Sequence, residues 1–117
     1  MNIERLNHLI TILRGVPPVN FDLQSWKCGT SACAVGWACQ DPVFKEQGLH
    51  LKDFGKTHMP TYGKHSSWDA VCEFFDLAQP DALRVFDPCA YPYHGIDVKP
   101  EQVIFRIENL IKEYQHV

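Results

Sequence analysis

Cys28-Gly29-Thr30-Ser31-Ala32-Cys33-Ala34-Val35-Gly36-Trp37-Ala38-Cys39 holds three of the chain's five cysteines and one of its three tryptophans, with no charged residue. Such a stretch suits an interior better than a wet surface. Gly29 can take the positive φ of a tight turn. A hydroxyl of Thr30 or Ser31 can cap a helix that begins just after it. Ala32, Ala34, Gly36 and Ala38 are small, so neighbouring elements can approach closely, and Trp37 fills the space they leave. Gly36 costs a helix about 1 kcal/mol against alanine, so a packing reason is expected for it. The stretch predicts a short buried helix with other helices packed around it. The expected fold is therefore mainly α, a single domain of five or six short helices with at most one small hairpin.

On the N-terminal side, residues 2–14 predict an amphipathic helix. Ile3, Leu6, Leu9, Ile10 and Leu13 share one face, Asn2 caps the start, and Gly15 with Pro17-Pro18 ends it. His8 falls on the wet side. Residues 16–27 predict a loop anchored by Phe21, Leu23 and Trp26. On the C-terminal side, Asp41-Pro42 is a cap followed by proline at the first helical position. Leu49-His50-Leu51 alternates, and Met59-Pro60-Thr61-Tyr62 can return beside it as an edge strand. Ser66-Ser67-Trp68-Asp69 is a Ser-x-x-acid start, with Trp68, Val71, Cys72 and Phe75 on one face. Gln79-Pro80 opens a short helix that turns Leu83 and Phe86 inward and ends at Asp87-Pro88. Lys99-Pro100 opens the last helix, residues 100–115, with Val103, Ile107, Leu110, Ile111 and Tyr114 as its buried stripe. Phe105 falls off that stripe.

A chain of 117 residues with 45% apolar composition suits one globular domain. A net charge of -3 argues against broad nucleic-acid binding, which needs excess Lys and Arg. No apolar run approaches the ~18 residues of a membrane span. Met1-Asn2-Ile3-Glu4-Arg5 lacks the pattern of a signal peptide. The expected compartment is the cytoplasm, where five cysteines, an odd number, stay reduced.

The string Cys28-Gly29-Thr30-x-x-Cys33-x-x-Gly36-Trp37-Ala38 resembles the signature of short, uncharacterised phage, prophage and bacterial proteins. Phe75-Asp76-Leu77, Ala82 and Val85-Phe86-Asp87-Pro88 are similar to the later parts of that pattern, with Val85 where leucine is usual. The similarity covers roughly residues 21–93. It implies a phage or prophage setting and brings no activity with it.

Three kinds of chemistry are open to the residues. Cys33, read into the first turn of the central helix, could be a thiolate nucleophile, but such catalysis needs a paired base and no histidine is tied to it by spacing. Cys28-x4-Cys33 could bind zinc with His50, His58 or His65, but the spacing is looser than a zinc knuckle and no second pair mirrors it. The simpler reading makes both thiols packing residues. The third is recognition. Residues 50–65 carry Lys52, Lys56, Lys64 and three histidines against Asp53, whereas residues 69–87 carry five acids against Arg84. Tyr91-Pro92-Tyr93-His94 offers rigid aromatic contact area. The sequence thus predicts a small protein-binding module without a cofactor, using Tyr91, Tyr93, His94 and Phe105 or the three lysines. A cysteine-dependent enzyme or zinc protein is the rival, and a virion protein or homodimer joined at Phe105 is the third reading.

Overall fold

A computed structural model describes residues 1–55 and 57–115. The N-terminal periodicity folds as helix α1, Ile3–Arg14. Asn2 Oδ1 accepts the Arg5 amide at 3.0 Å, and Leu6, Leu9, Ile10 and Leu13 are buried. A 3-10 turn at Pro18–Asn20 then leads the chain back along the central stretch. The Asp22 amide donates to the Ala32 carbonyl at 3.0 Å, and the Ala32 amide to Asn20 at 3.2 Å. Phe21 and Leu23 are buried and Trp26 half-buried, so this loop is anchored as expected.

The central stretch is half turn and half helix. Cys28 and Ser31 exchange backbone hydrogen bonds of 2.7 and 2.9 Å around Gly29, which takes φ +60°. Helix α2 is only Ala34–Ala38, and neither Thr30 nor Ser31 caps it. The turn carries both hydroxyls to the Pro18–Asn20 side, where Asn20 Nδ2 donates to Thr30 Oγ1 and Ser31 Oγ donates to the Val19 carbonyl. Cys33 takes the cap position instead, its Sγ accepting the Gly36 amide at 3.4 Å. The packing reason for Gly36 is backbone. A Cβ there would lie 1.7 Å from the Trp26 carbonyl oxygen. Trp37 is half-buried, and its Nε1 donates to the Asn20 carbonyl at 3.0 Å.

Helix α3, Pro42–Glu46, starts at Asp41, whose Oδ2 accepts the Phe44 amide. The hairpin that follows is longer than expected and has a third strand. Strands β1 (Leu49–Phe54), β2 (Thr57–Tyr62) and β3 (His65–Ser66) form an antiparallel sheet in the order β1-β2-β3. The register runs from Leu49 opposite Tyr62 to Phe54 opposite Thr57. β2 is thus central rather than the edge strand expected of it; β3 pairs only with Thr61 and Tyr62, so buried Pro60 has no ladder partner on that side. Among the described residues there are six α-helices and this sheet, so helix predominates as expected but the fold is mixed α and β rather than purely helical.

Helix α4, Ser67–Phe75, starts without a side-chain cap, because Ser67 itself is left-handed at φ 56°. That start rotates the buried face to Ala70, Val71, Phe74 and Phe75 and leaves Trp68 and Cys72 half-buried. Helix α5, Gln79–Phe86, buries Ala82, Val85 and Phe86, with Leu83 at its margin. Helix α6, Pro100–Gln115, buries Val103, Ile104, Ile107, Leu110 and Ile111. Tyr114 is 53% exposed and so does not belong to the stripe, whereas Phe105 is 63% exposed, as its position predicts. The core centres on Phe44, Phe74 and Phe75 rather than on α2. Their rings meet edge to face, with Phe44–Phe74 centroids at 4.9 Å and Phe74–Phe75 at 5.0 Å. That geometry suits the ring quadrupoles. α1 packs against α2, α4 and α6 around this cluster.

Candidate functional site

The thiols separate. All five are free; Cys28 and Cys89 are exposed, and Cys33 and Cys39 are buried. Burial pushes the Cys33 thiol up to about 11, more than the Gly36 and Val35 amides can offset, and also pushes up Cys39. A neutral thiol held in the core is a poor nucleophile at neutral pH. Cys33 therefore sits in an environment opposite to the one its position at a helix start suggested. Cys28 is exposed on its turn, and no group of three His, Cys, Asp or Glu among the described residues is placed to hold a metal ion. The thiol-and-histidine set of the rival reading is not brought together.

The charged surfaces are less single-minded than their composition. Lys52 is exposed on β1, its Nζ lying 5.7 Å from the centre of the Phe54 ring, and Lys64 is exposed on the turn between β2 and β3. Lys56 lies outside the described residues. His58 is already engaged by Asp53. Among the acids, Asp76 pairs with the terminal amine at 2.8 Å, Asp81 lies 4.0 Å from Arg84, and Asp87 caps the turn at Cys89. Asp69 and Glu73, exposed on α4, have no ion-pair partner among the described residues.

The aromatic loop divides at its proline. Tyr91 is 5% exposed, its hydroxyl donates to the Val85 carbonyl at 2.6 Å, and the Arg106 guanidinium lies 3.5 Å from its ring centre. Tyr91 is thus mostly a fixing residue, its ring buried and its hydroxyl engaged. Burial raises its phenol to about 12 against the opposing pull of Arg106. Tyr93 is the reverse, at 83% exposed. Tyr93 and His94 are both left-handed, at φ 55° and 54°. Two such non-glycine residues in succession cost about 1–3 kcal/mol each and persist only where the surroundings hold them. Here Tyr91 holds one side. On the other, Gly95 packs so closely that a Cβ would come within 3.1 Å of Leu23 and Pro88, and Gln24 Nε2 donates to the His94 carbonyl at 3.0 Å. Phe105 stands nearby in an open groove of about 450 Å³, lined with Tyr91, Pro92, Glu101, Gln102 and Arg106. The groove thus joins Phe105 to Tyr91 and Pro92; Tyr93 and His94 follow Pro92 in the chain but do not line it, and Lys52 and Lys64 lie at the sheet.

Two clefts have no counterpart in the sequence reading. In one, His8 Nε2 lies 2.9 Å from Asp41 Oδ2 and the ring packs edge-on against Phe44, beside a cleft walled by Glu4, Arg5 and Gln47. His8 is half-buried rather than solvated, because the acid that caps α3 also reaches it. In the other, Trp26 and Trp68 meet at 5.2 Å above Phe86 and Asp87. The Ser67 backbone aims Trp68 there, and helical periodicity carries no sign of a left-handed first residue. No helix among the described residues is long and apolar enough to cross a membrane. Set against family models, curated proteins and solved structures, the chain matches none of them.

Proposed function

We propose that this chain is a small protein-binding module of phage or prophage type, acting in the host cytoplasm through the Tyr93 loop and the adjoining Phe105 groove. The observation that carries this reading is the backbone of the loop. A rigid aromatic is held out in water at 83% exposure by two consecutive left-handed residues. Stability gains nothing from that arrangement, whereas a pre-ordered tyrosine offers contact area with little entropy left to lose on binding. Phe105 adds a second exposed ring in the groove that starts at Pro92, the residue before Tyr93, and Glu101 and Gln102 supply a polar margin. The phage or prophage setting rests on the resemblance of the Cys28–Ala38 signature alone.

The test is affinity purification from the producing host with wild type and with the Tyr93→Ala/Phe105→Ala variant, followed by mass spectrometry. The wild type should recover a protein in stoichiometric amount that the variant loses while keeping its thermal midpoint. Identical recoveries from the two would remove this surface. A dimer in light scattering that Phe105→Ala dissolves would make a second copy the partner.

A further inference from the structure

The cleft between Trp26 and Trp68 has the chemistry of a site for one cationic side chain. Its walls are Leu23, Trp26, Cys33, Trp68, Phe86 and Pro88, with Gln24, Ser25 and Asp87 at polar positions. At about 220 Å³ it is smaller than the roughly 300–1,000 Å³ of sites for cofactors and drug-sized ligands, so it suits a single side chain. The indoles cross at 61° and give it two aromatic walls at an angle. Among the described residues, neither the Trp26 nor the Trp68 indole N–H has a protein acceptor, whereas that of Trp37 does. The charge lining the cleft is one carboxylate. Asp87 spends Oδ1 on the Cys89 amide and keeps Oδ2 unengaged among the described residues. No lysine, arginine or histidine is among the lining residues.

Both tryptophans are placed by special backbone. Gly36 makes room for the Trp26 carbonyl, and the Cys33 amide donates to the Ser25 carbonyl at 2.8 Å, which pins the loop just before Trp26. Ser67, left-handed at φ 56°, sets the direction of Trp68. An indole face attracts a cation, a planar guanidinium stacks on it, and a carboxylate at the rim adds charge complementarity. We propose that this cleft receives an arginine side chain of a partner polypeptide, with the guanidinium against the wall formed by the Trp68–Trp26 pair and its N–H groups directed to Asp87.

This deepens the binding-module reading and rests on it, but its test needs no partner, so the two can fail separately. The full chain, labelled with ¹⁵N, is titrated with N-acetyl-arginine methylamide and with the neutral citrulline analogue. The indole resonances of Trp26 and Trp68 should move with arginine and not with citrulline, while that of Trp37 stays fixed. Asp87→Asn keeps the acceptor for the Cys89 amide, so it should leave the thermal midpoint in place and weaken arginine binding about 3–10-fold. Equal shifts with citrulline, no shift with arginine, or full affinity in Asp87→Asn would each overturn the proposal. A lysine analogue that binds as well as arginine would overturn the choice of arginine.

Discussion

A single atom decides the role of Gly36. Helix propensity favours alanine there by about 1 kcal/mol, but its Cβ would lie 1.7 Å from the Trp26 carbonyl oxygen. That oxygen belongs to backbone held by the Cys33 amide and cannot swing aside like a side-chain tip. Overlap with fixed backbone outweighs propensity, so Gly36→Ala should destabilise by at least about 2 kcal/mol in urea unfolding. Neutral behaviour would show that the loop yields. The two tyrosines of the loop make the opposite contrast. Tyr91→Phe deletes a buried donor and strands the Val85 carbonyl, at about 1–2 kcal/mol. Tyr93→Ala removes a ring that touches mostly water and should change stability by less than about 0.5 kcal/mol. Equal effects would contradict the division of the loop at Pro92.

At the scale of elements, Asp41 joins two helices. Its Oδ2 caps α3 through the Phe44 amide and lies 2.9 Å from His8 Nε2 on α1. A helix of five residues cannot persist alone, so α3 depends on this cap and on the burial of Phe44. Asp41→Ala should cost about 1–2 kcal/mol, and Asp41→Asn much less, because asparagine caps as well as aspartate. If the asparagine cost as much as the alanine, the charge rather than the cap would carry the effect. The cap at Asp41 was legible because Asp-Pro is a local signal. So were α1 and the bounds of α6, where periodicity and flanking residues agree. The third strand was not. It is two residues long, His65–Ser66, too short for any period, and the outer half of the hairpin, residues 52–55 and 57–58, is mostly polar and lacks an apolar pattern. The rotation of α4 and the pairing of Trp26 with Trp68 depend on one left-handed serine and on a contact across 42 positions, neither of which leaves a periodic trace. Of the candidate contact residues, exposed Phe105 was legible from helix phase. Tyr91 and Tyr93, alike in the sequence, are told apart only by the turn between them.

At the scale of the whole molecule, the cysteines report on how the domain opens. Cys28 and Cys89 lie at the surface and should react with iodoacetamide at the rate of free thiols, whereas Cys33 and Cys39 should wait for unfolding. Fast alkylation of Cys33 would mean that the centre opens locally. Burial also couples the Cys33 thiol to global stability. Its ordinary value is 9.0, and in the folded chain it is about 11. Below pH 9 the thiol is protonated in both states and contributes no pH dependence. Between pH 9 and 11 the unfolded chain releases the proton and the folded chain keeps it, so the folded state binds more protons and stability falls as pH rises. A shift of this size removes about 2–3 kcal/mol by pH 11, a large part of the roughly 5–15 kcal/mol that holds a small domain together. Cys39 and Tyr91, both raised by burial, push the same way. Urea midpoints should therefore be flat from pH 7 to 8.5 and drop steadily above 9. Cys33→Ala should be less stable at pH 7 but show a shallower alkaline decline. A decline equally steep in the variant would place the titrating group elsewhere, and with it the case for a neutral, buried thiol at the start of α2.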